Sequence, residues 1–105
     1  MNFSLVTIKT SFGDTYQMDK NHFLGARIRP SIKEGYAVIT YIFDKISIED
    51  EFEVGNISLD VALDYILDQF NNFPSRFVDA RLAIMRLEKE LRDFEQREFS
   101  NKDKQ

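Results

Sequence analysis

The sequence has no cysteine, no tryptophan and one histidine, His22, and only two prolines and four glycines among its 105 residues. Without cysteine there can be no disulfide, no thiolate nucleophile and no cysteine-type zinc site. A single histidine excludes a multi-histidine metal cluster, and no calcium-loop pattern with its central glycine occurs. The expectation is therefore a protein with no metal and no cofactor. P-loop, GxGxxG, HExxH and GxSxG patterns are also missing, so the sequence reads as non-enzymatic. No secretory leader is recognisable, and no apolar run approaches the roughly 20 residues that span a bilayer. Those absences point to a cytoplasmic protein without a membrane segment.

What is present is charge and hydrophobic periodicity. Acids outnumber bases, 18 to 14, for a formal net charge of −4. The excess is local: residues 44–68 carry eight acids against Lys45 alone. An acidic chain is a poor general binder of nucleic acid, because phosphate contacts dominate that affinity.

The first half alternates as strands do. Residues 3–10 and 15–18 flank a Gly13-Asp14 turn and read as a hairpin. Residues 19–25 read as a connection. Residues 26–32, 36–43 and 46–54 follow as three more strands, with 36–43 apolar on both faces and hence central. Register follows from demanding one apolar face. Pairing Phe43 with Ile46 puts Ala37, Ile39 and Tyr41 beside Ile48 and Phe52. A two-residue Glu34-Gly35 loop adds Ile28, Pro30 and Ile32 to that face. The other face then carries Arg27, Arg29, Val38, Thr40, Glu49, Glu51 and Glu53. Asp50 falls on the apolar face, which requires either a β-bulge there or a buried carboxylate with a partner.

The second half has helical spacing. Residues 58–72 form a first helix, with Ser58 as N-cap and Leu59, Leu63, Ile66 and Phe70 as its buried stripe. Residues 75–98 form a longer one, N-capped by Ser75 behind Pro74. Its seam is Phe77, Ala80, Ile84, Leu87, Leu91 and Phe94, and Val78, Leu82 and Met85 add a second stripe in its first half. Arg86–Glu90, Glu88–Arg92, Lys89–Asp93 and Asp93–Arg97 pair along it. The predicted fold is α+β: an antiparallel meander of about five strands, then a two-helix hairpin packed on one face. Residues 1–99 read as one domain, and residues 100–105 as a frayed tail.

Three groups of residues are candidate sites. The first is the seam of the long helix, Ile84, Leu87, Leu91 and Phe94. Leaving such side chains in water forgoes about 1.5–3 kcal/mol each, so they require either the domain's own sheet or another protein. With a second copy, an antiparallel pair centred near Met85 sets Arg81 against Glu88, whereas a parallel pair sets Glu90 against Glu95. The second group is acidic: Glu49, Glu51 and Glu53 on a strand, Asp60, Asp64 and Asp68 on a helix. Their spacing of about 6 to 7 Å approaches that of phosphates two nucleotides apart on one strand. Such an array suits a DNA-mimic inhibitor of a nucleic-acid-binding protein, of the kind mobile elements encode. The third is a basic group, His22, Arg27 and Arg29, suited to a phosphate, nucleotide or RNA; cross-strand pairing with the glutamates competes with that role. The leading expectation is a binding or scaffolding protein that forms a homodimer or higher oligomer through its C-terminal helix, with a heterologous protein as the other candidate partner.

Overall fold

The computed structural model describes residues 5–72 and 77–103. The class is α+β: five strands come first, then a helix, a short sixth strand and a second helix. All five expected strands form: β1 (Leu5–Lys9), β2 (Thr15–Asp19), β3 (Phe23–Pro30), β4 (Tyr36–Phe43) and β5 (Ser47–Glu53). They divide between two sheets. One is the antiparallel meander β3-β4-β5; the other is ordered β2-β1-β6, where β6 (Phe77–Asp79) runs parallel to β1. The helices are α1 (Leu59–Asn72) and α2 (Ala80–Asp103).

Strand β6 is the main correction. Residues 77–79 are extended, not the first turn of the long helix. Val78 pairs with Ile8, and both are fully buried. Joining the sheet satisfies backbone groups that a helical first turn would leave unpaired. Helix α2 is capped by Asp79, whose carboxylate accepts the Leu82 N–H at 3.2 Å. The expected caps Pro74 and Ser75 lie outside the described residues. At the far end α2 continues through Asp103, so its bounds run past the expected end at residue 98.

The β4–β5 register is the one predicted, with Tyr41 opposite Ile48, Ile39 opposite Asp50 and Ala37 opposite Phe52. The Phe43 N–H donates to the Ile46 carbonyl across the two-residue Asp44-Lys45 turn. Between β3 and β4 the face is right but the loop is longer. Ser31 and Tyr36 close a four-residue loop, 32–35, in which Gly35 takes a positive φ of 82°. Glycine has no Cβ to resist that conformation. Ile28 stays on the core side but lies opposite Ile39, where a two-residue loop would set it opposite Tyr41, and Ile32, expected in the core, sits in the loop and is fully exposed. Changing Ile32 to Asp should therefore alter stability by less than about 0.5 kcal/mol in chemical denaturation of dilute protein.

One apolar cluster joins every layer. Val6 and Ile8 come from the first sheet, Ile39, Tyr41, Ile48 and Phe52 from the second, Ala62, Ile66 and Phe70 from α1, and Ala83, Ile84 and Leu87 from α2. The α1 stripe centres on Ala62, Ile66 and Phe70, with Leu59 and Leu63 only partly buried. In α2 the second stripe is corrected: Ala83 is buried, while Met85 stands exposed. Phe77 is also partly exposed, with the Lys9 ammonium 4.1 Å from its ring centre.

Candidate interaction surfaces

The four expected contact residues of the long helix separate into two pairs. Ile84 and Leu87 are buried, at 2% and 6% exposure, inside the chain's own core. Leu91 and Phe94 are 45% and 55% exposed. The reason is length: α2 has 24 residues, about 36 Å at 1.5 Å each, and outruns the sheet and α1 that cover its first turns. Every residue from Glu88 to Glu98 is exposed. Beyond Leu87 the helix is tied to the body by the Tyr65 hydroxyl of α1, which donates to Glu90 at 2.8 Å. Partial burial, then the Glu90 carboxylate, hold that hydroxyl above the ordinary tyrosine value. Of the four expected helical ion pairs, Lys89–Asp93 forms, at 4.0 Å; Glu90 turns to Tyr65 instead.

The acidic residues do not make one surface. Glu49, Glu51 and Glu53 alternate with Ile48, Asp50 and Phe52 and so point away from the core. Helix α1 packs on the core side of the same sheet through Ala62, Ile66 and Phe70. Its Asp60, Asp64 and Asp68 are exposed beyond it. The two arrays thus lie on opposite sides of the β3-β4-β5 sheet.

The basic residues are separated as well. His22 ends a 3-10 turn (Lys20–His22) before β3, with its Nδ1 2.7 Å from Asp44 and its Nε2 3.8 Å from Asp19. Two carboxylates around one imidazole make a poor phosphate site. Arg29 lies seven residues further along an extended strand, roughly 20 Å away. Arg27 and Arg29 are exposed on the outward face of the second sheet. Their rows run Arg27, Thr40, Glu49 and Arg29, Val38, Glu51 across the three strands. The cross-strand ion pairs expected there do not form: among the described residues neither arginine has a carboxylate within 4.0 Å. Glu51 instead accepts the Ser31 hydroxyl at 2.6 Å.

A cleft of about 320 Å³ opens at one end of this face, lined by Phe12, Arg29, Ile32, Val38, Glu49 and Glu51 among others. Phe12, from the β1–β2 turn, is 66% exposed. Residue spacing gave no sign of the cleft, because Phe12 reaches it from another sheet.

Behind the same strands lies a buried polar group. Asp50 is completely buried, without a bulge, in continuous register. Its Oδ1 accepts the Ser11 N–H at 2.8 Å, while among the described residues Oδ2 and the Tyr41 hydroxyl have no hydrogen-bond partner. Burial, with a smaller contribution from Asp79, pushes the Asp50 carboxyl up, against the lowering effect of the Ser11 bond. Burial, then the charges of Asp50 and Asp79, also push the Tyr41 hydroxyl up. Asp50 was legible as an anomaly on an apolar face; the orphaned Tyr41 hydroxyl was not, since tyrosine belongs in a core pattern.

Among the described residues no helix is long and apolar enough to cross a membrane, and no group of three or more histidine, cysteine, aspartate or glutamate side chains is gathered as metal ligands. No family model, no curated protein and no solved structure matches this chain. The fold and its surfaces define a small α+β domain with a helix projecting past its core.

Proposed function

We propose that this is a non-enzymatic, cytoplasmic scaffolding protein that assembles with copies of itself through the distal half of α2. The observation that supports this reading is the exposure of Leu91 and Phe94 on a helix whose preceding seam residues, Ile84 and Leu87, are buried. The same apolar stripe that holds α2 to its own domain continues past the domain's edge. Covering it with a second copy recovers burial that the monomer leaves unused.

The proposed pair is centred further along the helix than the sequence pattern suggests. Ile84 and Leu87 are already occupied, so the two helices meet around Leu91 and Phe94, not Met85. An antiparallel arrangement sets Glu90 against Arg97 of the second copy, and also Glu88 against Glu95. A parallel one sets Glu90 against Glu95 with no attractive counterpart in this segment. Antiparallel pairing is the better of the two.

The test is the double change Leu91→Glu and Phe94→Glu, with mass measured by light scattering across a concentration range. Wild type should be a dimer or larger, and the variant should lose that assembly while its circular dichroism is unchanged. Assembly that survives both substitutions would overturn the reading.

A further inference from the structure

We infer that the outward face of the β3-β4-β5 sheet is a second, self-complementary contact, in which Arg27 and Arg29 of one copy pair with Glu49 and Glu51 of another across a two-fold axis parallel to β4. This goes beyond the α2 contact and rests on different residues.

Three rows of side chains run along this face, one on each strand. One edge strand, β3, presents Arg27 and Arg29. The other edge strand, β5, presents Glu49, Glu51 and Glu53. The central strand presents uncharged side chains, Val38, Thr40 and Ile42. Within one copy, Arg27 and Glu49 stand two strand spacings apart, about 9.6 Å between backbones. Among the described residues neither makes an ion pair or hydrogen bond. The face therefore carries opposite charges separated by a neutral stripe and left unneutralised.

Two such faces can stack about 10 Å apart. A two-fold axis along β4 exchanges left and right and leaves the rows level. It lays β3 of one copy over β5 of the other, so Arg27 meets Glu49 and Arg29 meets Glu51, each twice by symmetry. Thr40 and Ile42, each partly exposed in one copy, then meet their own equivalents in the centre, while Val38 is already buried within its own chain. A two-fold axis across the strands does the opposite: it puts β3 over β3 and β5 over β5, arginine on arginine and glutamate on glutamate. Like charges in juxtaposition cost several kcal/mol, so charge selects the first arrangement. Phe12 and Ile32, exposed beside the cleft at the end of this face, become covered by the stacked copy.

Size sets the strength. Three strands about seven residues long make a face of roughly 14 × 23 Å. That is well below the approximately 800 Å² per partner of a stable interface. The contact is accordingly weak, concentration-dependent and sensitive to salt.

The experiment is reciprocal charge reversal, made in the Leu91→Glu, Phe94→Glu background so that α2 contributes nothing. Sedimentation equilibrium at protein concentrations approaching millimolar, in low salt, compares that background with Arg27→Glu, with Glu49→Arg and with both together. The background should associate. Each single reversal should weaken association about tenfold or more, the double reversal should restore it, and added salt should weaken the background. A background that stays monomeric, or single reversals that change nothing, would overturn the contact. So would a double reversal no better than the singles while circular dichroism shows all variants folded. Failure of the α2 reading is seen separately, as equal masses for wild type and the α2 double variant.

Discussion

Replacing Asp50 by asparagine should make the protein more stable at neutral pH, by on the order of 1–3 kcal/mol. The carboxylate is completely buried, and among the described residues neither one of its oxygens nor the nearby Tyr41 hydroxyl has a hydrogen-bond partner. An ionised group in that position has given up water without a cation in exchange. Asparagine keeps an oxygen for the Ser11 N–H and removes the charge. The sign of the pH dependence follows from the direction of the shift. The folded-state pKa of Asp50 lies above the ordinary 3.8. Its contribution to stability is therefore complete below that value and is lost as pH rises through the folded pKa. The gap between variant and wild type should be near zero in acid and widen as pH rises. Urea denaturation at a series of pH values reads this directly. A variant that is less stable than wild type at neutral pH would show instead that the charge is well solvated where it lies.

Replacing Phe70 by alanine should have the opposite sign and a larger size, a loss of about 3–5 kcal/mol. Phe70 is 5% exposed and stacks on Phe23 with ring centres 4.6 Å apart and planes at 16°. It also leans against Tyr41 at 6.1 Å. Phe23 in turn meets Phe43 edge-on at 5.4 Å. These rings tie α1 to the second sheet. For a domain with about 5–15 kcal/mol of total stability, such a loss lowers the melting temperature by upward of about 12 °C. Phe70→Leu, which keeps most of the volume, should cost much less. Thermal unfolding followed by far-ultraviolet circular dichroism separates the two. Equal losses for both would mean that the aromatic stacking, not the filled volume, carries the energy.

Legibility in the sequence depended on how local the determinant was. The β4–β5 pairing was readable because both strands alternate cleanly and the two-residue turn fixes their offset. The β3–β4 face was readable for the same reason, but its loop length was not. Moving the closure by two residues preserves the face, so patterning cannot distinguish the alternatives; only Ile32 registers the difference, by standing in solvent. Strand β6 was hidden because Phe77, Val78 and Asp79 also fit a helical seam, and the preference for a strand comes from β1, some seventy residues away. Division into two sheets comes at the 3-10 turn Lys20–His22, after which β3 does not pair with β2. On α2 the stripe was legible as a stripe. Where the domain stops covering it, between Leu87 and Leu91, depends on three-dimensional reach. The opposition of the two acidic arrays is also a tertiary fact, because strand alternation and helix packing assign each a side only once they share a core.

Pairing β1 with β6 also sets an order of events in synthesis. The N-terminal hairpin has one edge filled by β2, and its other edge is reserved for three residues made some seventy positions later. Until Val78 has emerged, β1 displays unpaired backbone groups beside Ile8, the kind of edge that recruits other chains. Closing so long a loop is slow, although each doubling of its length adds only about 0.6 kcal/mol to the entropic cost. A chain interrupted at residue 72 would carry both sheets' strands except the one that seals the first. Release of such a fragment, more than damage to the finished protein, is the route by which this fold would aggregate.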